Sequence, residues 1–347
     1  SHEDGRQSGG PSRGFHCRSK FRQRQSRKEE ITMPGQLPIG LPWQGSFPEF
    51  SRFDPEKTFH AYVHIPFCEV RCGYCDFNTY TADEVQGVKR VEFDDSLALE
   101  VSKAASIFSQ SEIQAKPFST VFFGGGTPSL FSPNQIQKVL DELRESFGIT
   151  DDAELTMELN PDTVDDEYLR DISKLGINRV SIGAQSFDSE VLAVLDRTHN
   201  PENVETAVIG AKEAGMQVSL DLIYGAPGES LESWQGSLDK ALQMKPDHLS
   251  AYALIVEQGT KLARQVAKGV YPEPDDDLMA EKYELLDEMT ADMGLNWYEL
   301  SNFSRDELTQ SRHNRAYWQS NYWYGFGPGA HSFIGDMRFW NRKHPAA

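Results

Sequence analysis

His64-Ile-Pro-Phe-Cys68-Glu-Val-Arg-Cys72-Gly-Tyr-Cys75-Asp-Phe77 is the stretch from which the rest of the chain can be read. Its three cysteines have the spacing C-x3-C-x2-C and follow directly on an apolar run, 61–66, that reads as a β-strand. Three thiolates can hold three irons of a [4Fe–4S] cubane, which leaves the fourth iron open to a small molecule. A structural zinc site is the alternative: zinc takes four ligands, and His64 or Asp76 could complete the set. Structural zinc loops usually come as paired half-sites, and no second pair follows here. The chain has four cysteines in all, the remaining one, Cys17, standing alone near the start. A secreted disulfide framework would use an even, dispersed set, so this pattern points to thiolates kept reduced inside the cell, and the expected location is the cytoplasm.

Outward from this loop the chain alternates. Strand candidates lie at 61–66, 119–123, 154–160, 179–185, 217–224 and 248–256, and helix candidates at 91–109, 133–147, 165–175, 189–195, 201–214 and 230–244. Such a series implies a parallel sheet with right-handed crossovers, curled into an incomplete barrel whose chemistry sits at the C-terminal ends of the strands. Residues 58–270 form this part. Residues 1–57 read as a disordered or extended lead-in: 1–28 is rich in Ser, Gly, Arg and Gln, and 34–57 in Pro and Gly. A transit peptide, or a true start at Met33, are alternative readings of that segment. Residues 271–347 change character, with an acidic helix expected at 275–293 and an aromatic-rich stretch from Trp297 to Trp340, and the chain stops without a helix or strand stop signal, as if truncated.

Over 347 residues the formal net charge is −19, which argues against nucleic acid and anionic membrane as partners. No apolar run approaches the roughly 20 residues of a membrane-spanning helix. At 38% hydrophobic residues the chain can bury a large core.

Five further features fall in or after the expected strands. Gly124-Gly125-Gly126-Thr127-Pro128 follows the second, where glycines would let a ligand approach the backbone; a plain tight turn reads the same way. Glu158 and Asn160 share a face at the end of the third strand and could meet an amine or hydroxyl, or be solvated acid and amide. Gln185 ends the fourth strand. Arg197 is suited to a carboxylate, although an isolated arginine is as readily a surface residue. Asp221 sits inside an apolar strand, where an unpaired charge is costly, so a hydroxyl or cation should face it.

The C-x3-C-x2-C spacing is the signature of the radical S-adenosylmethionine superfamily, which the chain resembles from about residue 59 to its end. The resemblance implies an α/β fold, an incomplete (β/α)6 TIM-like barrel of the radical SAM type with a C-terminal α+β extension. It also implies that the methionyl amine and carboxylate of S-adenosylmethionine chelate the open iron, and that an electron from the cluster cleaves the sulfonium to a 5′-deoxyadenosyl radical. Within the superfamily the chain resembles the oxygen-independent coproporphyrinogen III dehydrogenases and their relatives. Tyr62, Gly125, Gly126, Thr127, Glu158, Gln185, Arg197 and Asp221 fall on that family's cofactor-contact positions, with Ile255 and Tyr74 matching more loosely. The cluster ligands would be Cys68, Cys72 and Cys75.

Two features separate the branches. The dehydrogenases carry a fourth cysteine two residues after the third, where this chain has Phe77. His313-Asn314-Arg315-Ala316-Tyr317-Trp318 resembles the H-N-x-x-Y-W motif of the HemW-type haem chaperones. That resemblance implies haem as a ligand, held through His313, with acceptor haemoproteins and an electron donor such as a flavodoxin or ferredoxin as partners. A core histidine among packing aromatics is the plainer reading of the same residues, and His331 and His64 are alternative ligands. The expected function is haem binding and transfer. A coproporphyrinogen dehydrogenase of porphyrin biosynthesis and a structural zinc protein stand as alternatives.

Overall fold

A computed structural model describes residues 47, 53–85, 87–111 and 113–346. Cys17, Met33 and the lead-in 1–57, apart from residues 47 and 53–57, lie outside the described residues.

Six strands form the parallel ladder: β1 (Phe59–Ile65), β2 (Phe118–Gly125), β3 (Ile149–Leu159), β4 (Arg179–Gln185), β5 (Gln217–Tyr224) and β6 (His248–Ala253), each paired with the next in chain order. Between them run α1 (Phe93–Ser109), α2 (Pro133–Ser146), α3 (Asp166–Lys174), α4 (Ser189–Val194), α5 (Pro201–Glu213) and α6 (Leu231–Gln243). The two-residue period of the strands sorts the side chains. Ala61, Val63, Val121, Phe123, Val180, Ile182, Val218, Leu220 and Leu249 are buried in one apolar core with Leu97, Val139, Leu143, Leu169, Val208 and Leu238 of the helices. The alternate positions, including Thr120, Glu158, Ser181, Asp221 and Ser250, face the interior of the curl, which is therefore polar. Helix starts are set by side-chain caps: Ser132 accepts from the Gln135 amide at 3.3 Å, and Asp165 from the Tyr168 amide at 2.8 Å.

Residues beyond 270 add strands to both ends of this sheet. After α7 (Lys261–Ala267) and α8 (Asp276–Asp292), β7 (Asn296–Glu299) and β8 (Asn302–Ser304) form an antiparallel pair, and β8 joins β6. A short helix, α9 (Arg312–Trp318), precedes β9 (Tyr322–Phe326), which lies parallel to β1 at the other end. β10 (His331–Ile334) and β11 (Met337–Trp340) follow as an antiparallel hairpin. The order is β11-β10-β9-β1-β2-β3-β4-β5-β6-β8-β7, an eleven-stranded mixed sheet whose two ends are not hydrogen-bonded to each other among the described residues. The barrel is incomplete, as expected.

Helix α9 closes the end of the interior nearest the strand N-termini. The Glu154 carboxylate accepts the α9 amides of Arg312 and His313 at 2.9 and 3.0 Å, where helix N-termini leave donors unpaired. Arg179 donates to the Thr309 carbonyl at 2.9 Å, the Tyr298 hydroxyl accepts the Ser311 amide at 3.2 Å, and Trp318 donates to Glu299 at 3.0 Å.

Among the described residues one ion pair is fully buried. Lys282 of α8 lies 2.8 Å from Glu229, their side chains 1% and 0% exposed, and Lys282 also donates to the Glu229 carbonyl at 2.7 Å. Glu229 in turn accepts the Gly225 amide at 2.7 Å, so the pair fixes the loop after β5. Removing one member strands a buried charge. Lys282→Ala should cost about 3–5 kcal/mol in urea unfolding, and Lys282→Met with Glu229→Leu should recover most of it. Equal losses in the single and double variants would show that packing, not the charge, matters there.

Candidate functional site

The cysteine loop leaves β1 at the C-terminal end of the ladder. Its backbone is pinned on three sides: the Cys68 amide donates to the Tyr80 carbonyl at 2.9 Å, the Gly73 amide to the Leu195 carbonyl at 3.2 Å, and the Leu262 amide to the Gly73 carbonyl at 2.8 Å. The Cys68, Cys72 and Cys75 side chains are half-buried and free, and all three line one cavity of about 560 Å³. Thr127 donates to the Cys68 sulfur at 3.8 Å, Arg197 approaches the Cys72 sulfur at 3.7 Å, and Thr79 lies 3.8 Å from that of Cys75. Burial pushes the Cys68 thiol up to about 11 and that of Cys75 upward too, so thiolates here require a positive partner such as iron. Among the described residues no three His, Cys, Asp or Glu side chains converge on a single ion. That does not assemble the four-ligand set of a mononuclear zinc.

The glycine turn underlies this loop. A Cβ on Gly126 would lie 2.5 Å from the Phe67 carbonyl oxygen and 3.0 Å from the Cys68 sulfur, so only glycine fits. The amides of Gly125, Gly126 and Thr127 donate to Glu158 (3.1 Å), the Ile65 carbonyl (2.8 Å) and the Phe67 carbonyl (2.8 Å). These amides are thus engaged inside the protein, and the turn supports the cysteine loop from below.

Gly125, Gly126, Thr127, Glu158, Gln185, Arg197 and Asp221 all line the cavity with the cysteines, as do Tyr74, Ile255 and Asn160. Tyr62 stands just outside it, its hydroxyl 2.9 Å from His64 Nδ1 and its ring stacked on Phe122. Arg197 also donates to the Gly183 carbonyl at 2.8 Å and faces His199. Burial, then the charge of Asp221, pushes Glu158 up to about 7 against the pull of the Gly125 amide. Burial likewise raises Asp221 to about 6, although Ser181 donates to it at 2.8 Å. Two carboxyls facing one cavity with raised pKa values favour a cationic or hydroxyl-rich ligand. Ser181, His199, Ser250 and Tyr252 also line the cavity and were not singled out from the sequence. For Ser181, Ser250 and Tyr252 the inward alternation of β4 and β6 was the available signal.

The expected haem ligand is placed otherwise. His313 is 3% exposed and does not border the cavity. Its Nδ1 lies 2.6 Å from the Thr120 hydroxyl and its Nε2 2.8 Å from that of Tyr317, while its ring stacks on Phe122. Burial, then neighbouring His60, holds its pKa down at about 3. Both ring nitrogens are thus hydrogen-bonded within the floor helix layer, while Asn314 and Tyr317 of the same motif line the cavity. His64 is bonded at both nitrogens as well, to Tyr62 and to the Asn78 carbonyl.

The model of the radical SAM superfamily matches residues 62–241. A protein named Heme chaperone HemW from Mycobacterium tuberculosis (strain H37Rv) is 44% identical over 320 residues, 92% of this chain and 77% of that one. The chain belongs to the HemW branch of the radical SAM superfamily. The Bacillus subtilis HemW is 36% identical over 80% of this chain and 72% of its own length. A mouse protein, radical S-adenosyl methionine domain-containing protein 1, mitochondrial, is 40% identical, and the chain spans 59% of its length. Coproporphyrinogen III oxidase (HemN) from Escherichia coli, described as a radical SAM enzyme, shares the fold with a TM-score of 0.71 at 26% identity, over 84% of this chain and 68% of that one. A [4Fe–4S] cluster and S-adenosylmethionine are the cofactors that superfamily membership implies. No helix among the described residues is long and apolar enough to cross a membrane.

Two substitutions test this reading of the interior. His313→Ala removes a ring and strands two buried hydroxyls, so urea unfolding should show a loss of about 2–4 kcal/mol. A change within about 0.5 kcal/mol, as for a surface residue, would contradict the floor assignment. Glu158, with its folded-state pKa raised to about 7, holds its proton more tightly in the fold; its contribution is full below the ordinary 4.5 and lost as pH rises through 7. Glu158→Gln should therefore flatten part of the fall in Tm over that range, and identical pH profiles would show that Glu158 is ionised and partnered.

Proposed function

We propose that this chain binds haem and passes it to acceptor haemoproteins, on a scaffold that carries a [4Fe–4S] cluster and S-adenosylmethionine. The observation that carries this reading is the 44% identity, over 92% of the chain, to a protein named a heme chaperone. Cys68, Cys72 and Cys75 would hold the cluster, and no fourth cysteine stands beside them: Phe77 occupies that place and is 67% exposed at the cavity rim. When bound, the cluster would supply one electron to S-adenosylmethionine at its open iron.

The residues of the chain would prepare that site. Arg197 would offer its guanidinium to the methionyl carboxylate, and Glu158 would accept from the methionyl amine. Asp221 and Gln185 would meet the ribose hydroxyls, and Tyr74 and Ile255 would border the adenosyl group. Tyr62 would pack behind Glu158. Gly125, Gly126 and Thr127 would keep the cysteine loop at its distance. At about 560 Å³ the cavity lies in the lower half of the usual range for ligand sites, about 300–1,000 Å³. A nucleoside-sized ligand falls within that range. An electron donor such as a flavodoxin or ferredoxin would serve the cluster, in a reducing compartment such as the cytoplasm.

Anaerobic reconstitution tests this directly. The loaded chain should contain about four irons and four acid-labile sulfides. It should take up ferric haem with a saturable Soret band and leave coproporphyrinogen III unconverted in the presence of reductant. Steady formation of protoporphyrinogen without haem uptake would establish the dehydrogenase instead.

A further inference from the structure

Arg197 reaches the cavity from an irregular segment, 195–200, between α4 and α5. Two backbone bonds pin the segment. The Arg197 amide donates to the Leu192 carbonyl at 2.9 Å, and the Asn200 amide to Asp162 Oδ1 at 3.1 Å. Asn200 then caps α5 by accepting from the Glu202 amide at 3.1 Å. Between these fixed points, two residues after Arg197, stands His199, 5% exposed. Both residues border the cavity.

Three N–H groups of the Arg197 guanidinium are engaged by the protein. Nη2 donates to the Gly183 carbonyl at 2.8 Å, Nη1 donates to the Cys72 sulfur at 3.7 Å, and Nε donates to His199 Nδ1 at 3.4 Å. Strand β4 makes room for the group with a glycine: a Cβ on Gly183 would lie 3.3 Å from Nη2 and 2.9 Å from Gln185 Nε2. A guanidinium carries five N–H groups. The two that remain, one on each terminal nitrogen, match the two N–H groups that a bidentate carboxylate takes. The contacts to Gly183 and Cys72 share those terminal nitrogens with any ligand. The contact to His199 leaves them free and still fixes the plane of the group.

His199 meets the chemical demand of that contact. Its Nδ1 accepts, so the ring proton sits on Nε2. The Ala184 carbonyl is near enough to favour ring protonation, yet Nε2 forms no hydrogen bond among the described residues. A buried N–H without a partner is costly, and in a native fold it calls for a reason. Burial, then the charge of Arg197, holds the imidazole pKa down at about 4. The ring is therefore neutral near neutral pH and can accept from a guanidinium, which an imidazolium cannot do.

We propose that His199 is a positioning residue for the cofactor: it holds the Arg197 guanidinium so that its two unengaged N–H groups receive the methionyl carboxylate. The inference rests on the cofactor reading above, in which Arg197 meets that carboxylate. His199 touches no reacting atom and acts through Arg197. Because Nη1 also leans on the Cys72 sulfur, the same contact keeps the guanidinium between the ligand carboxylate and the cysteine loop. No covalent bond changes and no proton moves: Nδ1 offers its lone pair, and the guanidinium keeps its charge.

Anaerobic calorimetric titration of the cluster-loaded chain with S-adenosylmethionine, without reductant, tests this in the absence of turnover. The unsubstituted chain should bind saturably. His199→Phe keeps a ring in the buried site and removes the acceptor, and affinity should fall about tenfold, the scale of one hydrogen bond to a charged group. His199→Asn, whose amide oxygen can stand in for Nδ1, should recover most of the loss. In an Arg197→Lys background no guanidinium remains to be held, and there His199→Phe should change affinity by less than about twofold. Each variant should still carry about four irons and four sulfides. An affinity in His199→Phe within about twofold of the unsubstituted chain, or an equal loss with Arg197→Lys already in place, overturns the positioning role and leaves the cofactor reading standing. Iron lost in step with affinity also overturns it, by showing that His199 holds the cysteine loop instead. Failure of the unsubstituted, cluster-loaded chain to bind S-adenosylmethionine overturns both readings.

Discussion

A parallel sheet that curls without closing leaves its inner face open to water at both ends and along one flank, and in this chain that face is polar. The contact on which the rest depends is the one that seals the floor: the Glu154 carboxylate accepting the Arg312 and His313 amides at the start of α9. It draws the floor helix against β3, where His313 can bond Thr120 and Tyr317, and where Ser311 and Trp318 reach Tyr298 and Glu299 on the far side of the opening. With that end sealed, what remains of the interior is the cavity that the cysteine loop borders. The cysteine loop stands at the mouth because β1 delivers it to the C-terminal end of the ladder, as barrels of this kind deliver their chemistry.

The electrostatics follow from the same enclosure. Glu158 and Asp221 are raised mainly by burial, and each sits by a donor from the scaffold, Gly125 or Ser181. Arg197 brings the opposing charge close to the Cys72 sulfur. A guanidinium and two reluctant carboxyls around one space suit a ligand that carries an amine, a carboxylate and hydroxyls together.

Much of this was legible in the sequence, for local reasons. β4 and β5 match their expected bounds, 179–185 and 217–224, because each is a short apolar run between turn residues. β3 begins at Ile149 rather than 154, since the exposed Asp151 and Asp152 hide its first half from an apolar pattern. The three cysteines and most of the strand-end residues do share one cavity. What could not be read was long-range. β9 pairs with β1, Phe59 against Tyr322, and nothing local in either segment announces that partner. His313 was less legible: a histidine among aromatics reads equally as a ligand or as a core residue, and only the structure shows that α9 places it inside the curl, bonded to Thr120 and Tyr317.

Haem transfer to an acceptor tests the proposed carrier function most directly. Chain reconstituted with its cluster and loaded with one equivalent of haem is mixed with an apo-haemoprotein such as apomyoglobin, and the acceptor's Soret band is followed. The account predicts that the band appears as the donor's own haem band falls, in proportion to the haem loaded. Haem that stays on the chain with acceptor in excess, or a chain that loads none and instead consumes coproporphyrinogen, would contradict it.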